Sequence, residues 1–146
     1  MELIATNAHP SIDLPIRRLL SALSSRDKPE DSLVDAMIAL ESLFGTGQGE
    51  VTFRLSTALA WLLGKDGRAR SAKQKEIADL YGLRSKVVHG ARLKHEEAAV
   101  AQAAAISLAV DAFRALLAER PELIADTNRG RSLSVYGPPE RADPDS

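Results

Sequence analysis

The chain has 146 residues, a formal net charge of -1 and no cysteine. That length suits one domain with a real core. The missing cysteine excludes a disulfide framework and a cysteine-based zinc site. The near-zero charge neither requires nor excludes contact with RNA, since a local basic patch can sit on a neutral protein.

Residues 1–11 carry Asn7, His9 and Pro10 and read as a loose leader. The N-terminus shows no basic stretch followed by an apolar run, so no signal peptide is expected. No apolar segment is read as long enough to cross a bilayer. A cytoplasmic protein fits these features.

A first helix is expected from Asp13 to Ser25, with Ile16, Leu19, Leu20 and Leu23 at three-and-four spacing. Asp13 is its expected cap and Pro15 falls in its first turn. Asp27-Lys28-Pro29-Glu30 has the pattern of a capping box. The second helix follows to about Phe44, with a stripe of Leu33, Val34, Met37, Ile38 and Phe44. Glu41 lies inside that stripe, so it sits at the core edge or needs a partner.

Gly45-Thr46-Gly47-Gln48-Gly49 ends that helix. No strand precedes it and no Gly-Lys-Ser/Thr follows, so it reads as a plain loop rather than a phosphate loop. The third helix is expected over Val51 to Leu63, with Val51, Leu55, Ala58, Leu59 and Leu62 inside. Lys65, Arg68, Arg70, Lys73 and Lys75 then form a basic cluster, read first as solvated surface and second as a nucleic-acid patch.

Ser71-Ala72-Lys73-Gln74 is a second capping-box pattern, opening a fourth helix with Ile77, Leu80, Tyr81, Leu83, Val87 and Val88 inward. A fifth helix runs from about Glu96 to Glu119. Its inner face is expected at Ala99, Ala103, Ile106, Val110, Phe113 and Leu117, and Pro121 ends it. The domain is placed at residues 1–127. Residues 128–146, rich in Gly, Pro, Asp and Arg, read as a disordered tail. The expected fold is all-α, an antiparallel bundle of four or five helices.

Two residues break the pattern. Arg84 follows Leu80 by four and precedes Val88 by four, on the apolar face. Its plain reading is a snorkelling or Glu41-paired arginine; its functional reading is a guanidinium held for phosphate. His89 lies five residues on, about 140° around a straight helix. Gly90 is expected to turn the chain so that His89 swings towards Arg84. A histidine there also suits the helix dipole. His89, His95, Glu96 and Glu97 lack a metal-binding spacing, so no metal and no cofactor is expected.

Leu80-Tyr81-Gly82-Leu83-Arg84-Ser85-Lys86-Val87-Val88-His89-Gly90 resembles the signature of the HEPN superfamily, in its Apea-like branch. The stretches 31–44 and 54–63 resemble the same branch, and the match covers roughly residues 26–118. The resemblance implies a dimerising helical bundle and, in active members, metal-independent RNA cleavage with two Arg/His motifs lining a cleft between protomers. It implies toxin or phage-defence settings and a nucleotidyltransferase-like antitoxin as a partner. Arg84 and His89 are the positions onto which the catalytic pair carries, and Glu41 matches a glutamate that supports the motif arginine. Ser85, a candidate phosphate contact, stands where well-studied active members carry Asn, Asp or His. Lys86 and Arg92 are candidates for steering the RNA backbone.

The expected function is therefore a metal-independent endoribonuclease; the alternative is a non-catalytic module binding RNA, a nucleotide or a protein partner. A third reading makes Glu41 and Arg84 only a pair that fixes helix register.

Overall fold

The computed structural model describes residues 9–24, 28–45 and 51–136. These residues are mostly helical, with no strand among them. Six α-helices follow in order: α1 (Pro10–Leu23), α2 (Pro29–Phe44), α3 (Val51–Leu63), α4 (Gly67–Val88), α5 (His95–Arg114) and α6 (Arg129–Tyr136). A π turn, Ala115–Glu119, prolongs α5, and a 3-10 turn, Pro121–Leu123, follows it. The bundle is antiparallel, as the short connections require.

The helix at the centre is α2. It packs against α1 on one side and α5 on another, while α3 packs against α4 and α6. Leu33, Ala36, Met37, Leu40, Leu43 and Phe44 are buried along it, almost to zero exposure. Val34 and Ile38, expected in its stripe, are only half-buried. Asp35 is also buried, and α1 satisfies it: Ser21 Oγ donates to Asp35 Oδ2 at 2.9 Å and Arg18 Nη1 stands 3.5 Å from Oδ1. A hydrogen-bonded, paired carboxylate is what a core tolerates.

Several helix starts differ from expectation. Helix α1 begins at Pro10, so Asp13 is not its cap; His9 Nδ1 accepts from the Ser11 N–H. Pro15 therefore lies inside the helix and is buried. For α2 the capping position is Lys28, with no side-chain bond, and Asp27 lies outside the described residues. Helix α4 starts four residues before Ser71, because Asp66 accepts from the Ala69 N–H at 2.8 Å and caps it there. An aspartate in extended backbone directly before the helix is the stronger signal. The loop reading at 45–49 lies outside the described residues beyond Gly45.

The inner face of α5 is rotated from the expected one. Ala98, Ala101, Ala105, Leu108, Ala109, Ala112 and Phe113 are buried. Ala99 and Ala103 are exposed, and Leu117 keeps 51 % of its surface. Of the expected positions Phe113 is buried and Ile106 and Val110 are half-buried, so periodicity alone places the inner face only in part. Continuous with its π turn, the 25-residue helix His95–Glu119 is also long and apolar enough to cross a bilayer, contrary to the sequence reading. Its packing in the bundle core accounts for that composition.

The stretch from residue 129 is the largest departure. Residues 129–136, read as tail, form α6, with Arg129 and Leu133 buried. Arg129 donates to the Leu43 carbonyl at 2.9 Å, to Leu123 O at 3.0 Å, to Ile124 O at 2.9 Å and to Ser11 Oγ. One guanidinium thereby satisfies a carbonyl in the last turn of α2, where no helical partner is left. Burial lowers its pKa, with Asp126 opposing. Gly130 lets α6 approach: a Cβ there would run into the Phe44 carbonyl. Residues 137–146 lie outside the described residues.

Candidate functional site: the end of the fourth helix

The last three turns of α4 carry Tyr81, Arg84, Ser85, Lys86 and His89, and α2 brings Glu41 to them. Arg84 Nη2 lies 3.5 Å from Glu41 Oε1, and the side chains keep 21 % and 22 % of their surface. The contact is ionic without being a hydrogen bond. Glu41 Oε1 and Arg84 Nε are both buried with no hydrogen-bond partner among the described residues. The Arg84 guanidinium also lies 5.6 Å from the Tyr81 ring centroid, a cation–π distance.

Burial pushes the Glu41 carboxyl above the usual carboxylate range, and Arg84 opposes that shift without overcoming it. The order of causes agrees with the geometry. A pair at 3.5 Å with unmatched donors recovers only part of the cost of removing two charges from water.

His89 ends the helix. Its N–H still bonds Ser85 O at 3.0 Å, so it holds its place on the helical spiral. Gly90 takes a φ of +92°, its N–H bonds Val87 O at 3.0 Å, and the Ala91 N–H bonds Lys86 O at 2.9 Å. These two bonds make a Schellman cap. The expected turn is therefore present, but it acts after His89. The imidazole stays about 140° around the axis from Arg84 and is exposed. Within one chain Glu41 and Arg84 are brought together, and His89 is not.

Ser85 is half-buried beside them, whereas Lys86 and Arg92 are exposed. His95 opens α5 with Glu96 and Glu97 in its first turn. Among the described residues no three His, Asp or Glu side chains gather for a metal. Open grooves run along α4, one facing α3 and lined by Phe53, Ser71, Gln74 and Lys75, one facing α5 and lined by Leu80, Leu83, Val100 and Ala104. Neither is lined by Arg84 or His89.

The basic cluster is partly absorbed by local pairs. Lys73 bonds Glu76 at 3.0 Å, Lys75 bonds Asp79 at 2.8 Å, and the Arg70 guanidinium lies 4.3 Å from the Trp61 ring centroid. The buried charged residues that no sequence pattern singled out are Asp35, Arg120 and Arg129. Each is structural in its contacts. The visible signal for Arg129 was a glycine directly after it, which invites close backbone approach. No family model, no curated protein and no solved structure matches the chain.

Proposed function

We propose that this chain is a HEPN-type domain and a metal-independent endoribonuclease, acting in the cytoplasm as a homodimer in a toxin or phage-defence setting. A nucleotidyltransferase-like antitoxin is the partner this reading implies. The observation that carries it is the half-made Glu41–Arg84 pair, five residues along the same helix from a capped, exposed histidine. A guanidinium with an unpaired Nε is held at the core edge by a contact that is not a hydrogen bond. Such an arginine can exchange its carboxylate for a phosphate with little loss.

In the reaction His89 takes the proton of a ribose 2′-hydroxyl. The 2′-oxygen bonds the adjacent phosphorus, and the bond to the 5′-oxygen breaks. That oxygen takes a proton from water, His89 returns its own to the solvent, and the other product ends in a 2′,3′-cyclic phosphate. Arg84 stabilises the charge on the phosphoryl oxygens, with Glu41 positioning it beforehand and Ser85 within reach of the same phosphate. Lys86 and Arg92 steer the backbone from the exposed side. Because His89 points away from Glu41, Arg84 must leave its carboxylate to meet the phosphate that His89 works on.

The divergence of Arg84 and His89 favours a second reading, a non-catalytic module that binds RNA, a nucleotide or a protein partner. The two separate on RNA incubated with the purified protein in chelator. Cleavage that leaves cyclic phosphate ends and disappears in both Arg84→Ala and His89→Ala supports the nuclease. Retained RNA binding without cleavage, with no growth arrest on expression, supports the binding module.

A further inference from the structure

One face of α4 is left open along its whole length. Arg68, Lys75, Gly82, Lys86 and His89 recur on it at spacings of three, four and seven, with Ser71 and Ala78 between them. At about 100° per residue they share an arc of about 80°, and every one of them is exposed. This is the side on which His89 stands.

The face is cationic. Arg68, Lys75 and Lys86 carry its charges, and His89 closes it. Asp79 lies at its edge and is spent on Lys75 at 2.8 Å. That pair is exposed, at 78 % and 64 % of its side-chain surface, so a phosphate can replace the carboxylate at small cost. Ser71, Ala78 and Gly82 put little bulk between the cations, and a Cβ at Gly82 would meet nothing. From Arg68 to His89 the rise is about 31 Å, the length of about nine nucleotides at 3.4 Å each.

The groove between α3 and α4 opens beside this face. Its volume of about 620 Å³ is in the range of small-ligand sites and has ample room for a nucleobase. Phe53 lines the α3 side and keeps 58 % of its surface. Ser71, Gln74, Lys75 and Ala78 line the α4 side. Gln74 gives one amide N–H to Thr57 Oγ1 at 3.2 Å, which fixes it; its second N–H and its oxygen are left for the polar edge of a base. A lone exposed phenylalanine needs no explanation. An exposed ring, a fixed amide and a cation in one groove are the parts of a base-stacking platform.

We propose that a single strand of RNA lies along this face of α4, with one base seated in the groove on Phe53, its edge on Gln74 and its phosphate on Lys75. Ala78, the end of the groove nearest the motif, is about 16 Å from His89 along the helix. The seated base is then about five nucleotides from the bond that His89 works on. The groove selects unpaired RNA, because a paired base must first be taken out of its stack. The inference rests on the reading of this chain as an RNA-binding protein, and it holds whether or not His89 cleaves.

The test uses the full chain and a fluorescent oligothymidylate of about nine nucleotides, whose missing 2′-hydroxyl confines the readout to binding. By anisotropy, Phe53→Ala is expected to bind roughly tenfold more weakly, the loss of one base–aromatic stack, and Phe53→Trp to keep wild-type affinity. Arg68→Ala and Lys75→Ala should each lower the slope of log affinity against log salt by about 0.7. A duplex of the same length should bind more weakly than the single strand. Circular dichroism checks the fold of each variant. A wild type that binds no oligonucleotide at low salt, a folded Phe53→Ala of wild-type affinity, or equal affinity for the duplex overturns the proposal. So does a loss in Lys75→Ala alone, which would mean phosphate contact without a seated base. If Phe53→Ala loses helicity, unchanged salt slopes in Arg68→Ala and Lys75→Ala overturn it instead. RNA cleavage is scored separately. Phe53-dependent binding without cleavage keeps this proposal and sinks the nuclease; cleavage with Phe53-independent binding does the reverse.

Discussion

At the scale of the residue, Glu41 and Arg84 set the tone. Their pair is too open to be a strong stabiliser and too buried to be an ordinary surface contact. Since burial raises the Glu41 pKa, the folded state holds its proton to higher pH than the unfolded chain does. Stability contributed by that proton is full below the unfolded pKa and is lost as pH rises through the folded pKa. Urea unfolding from about pH 4 to 7 is therefore expected to show wild type losing stability relative to Glu41→Gln as pH rises; a gain would contradict the desolvated carboxylate. Arg84→Ala leaves that carboxylate without its partner at neutral pH. The expected loss is about 1–2 kcal/mol, discounted for partial exposure. A loss of several kcal/mol with no effect on RNA would instead favour the register reading. Gly90, at φ +92°, gives a cleaner case. Gly90→Ala meets no steric neighbour, so its cost of about 1 kcal/mol is backbone conformation alone, read as a shift in denaturation midpoint.

At the scale of the element, the parts visible in the sequence were those written in local chemistry. Leu33, Met37 and Phe44 of the α2 stripe, the bounds of α3, the end of α5 before Pro121 and the turn at Gly90 all follow from spacing, Pro and Gly. The Glu41–Arg84 contact was also legible, because two charges on greasy faces demand one another. What the sequence hid was tertiary. Helix α5 is apolar on two sides, and nothing local says which one α2 covers. Helix α6 lies in a stretch of tail-like composition. It is ordered because Arg129 finds carbonyls of α2 and of the turn after α5, and because Gly130 admits the Phe44 carbonyl. The azimuth of His89 was misjudged because the Gly90 turn acts only on residues after it. A chain ending at residue 127 should therefore lose roughly 3 kcal/mol, mostly the burial of Leu133 and the Arg129 network. Gly130→Ala should cost about 2 kcal/mol or more by overpacking. Thermal denaturation checks both, and an unchanged midpoint in the truncated chain would mean α6 does not hold the bundle.

At the scale of the whole molecule, the end of α4 is the face that carries the proposed chemistry. The end of α4 offers the Arg84 guanidinium and the Ser85 hydroxyl near Glu41 and, on another side of the helix, the exposed His89 imidazole. In the proposed reaction Arg84 exchanges Glu41 for phosphate, so RNA binding should compete with the ion pair. Glu41→Gln is accordingly expected to bind RNA no more weakly than wild type while cleaving more slowly, since it loses the group that positions Arg84 between turnovers. The most direct measurement of the central claim compares binding and cleavage of one labelled RNA by wild type, Arg84→Ala and His89→Ala, in chelator. The account predicts that wild type cleaves to cyclic phosphate ends, that His89→Ala binds but does not cleave, and that Arg84→Ala loses both. A wild type that binds the RNA and leaves it intact, or a His89→Ala that still cleaves, would contradict it.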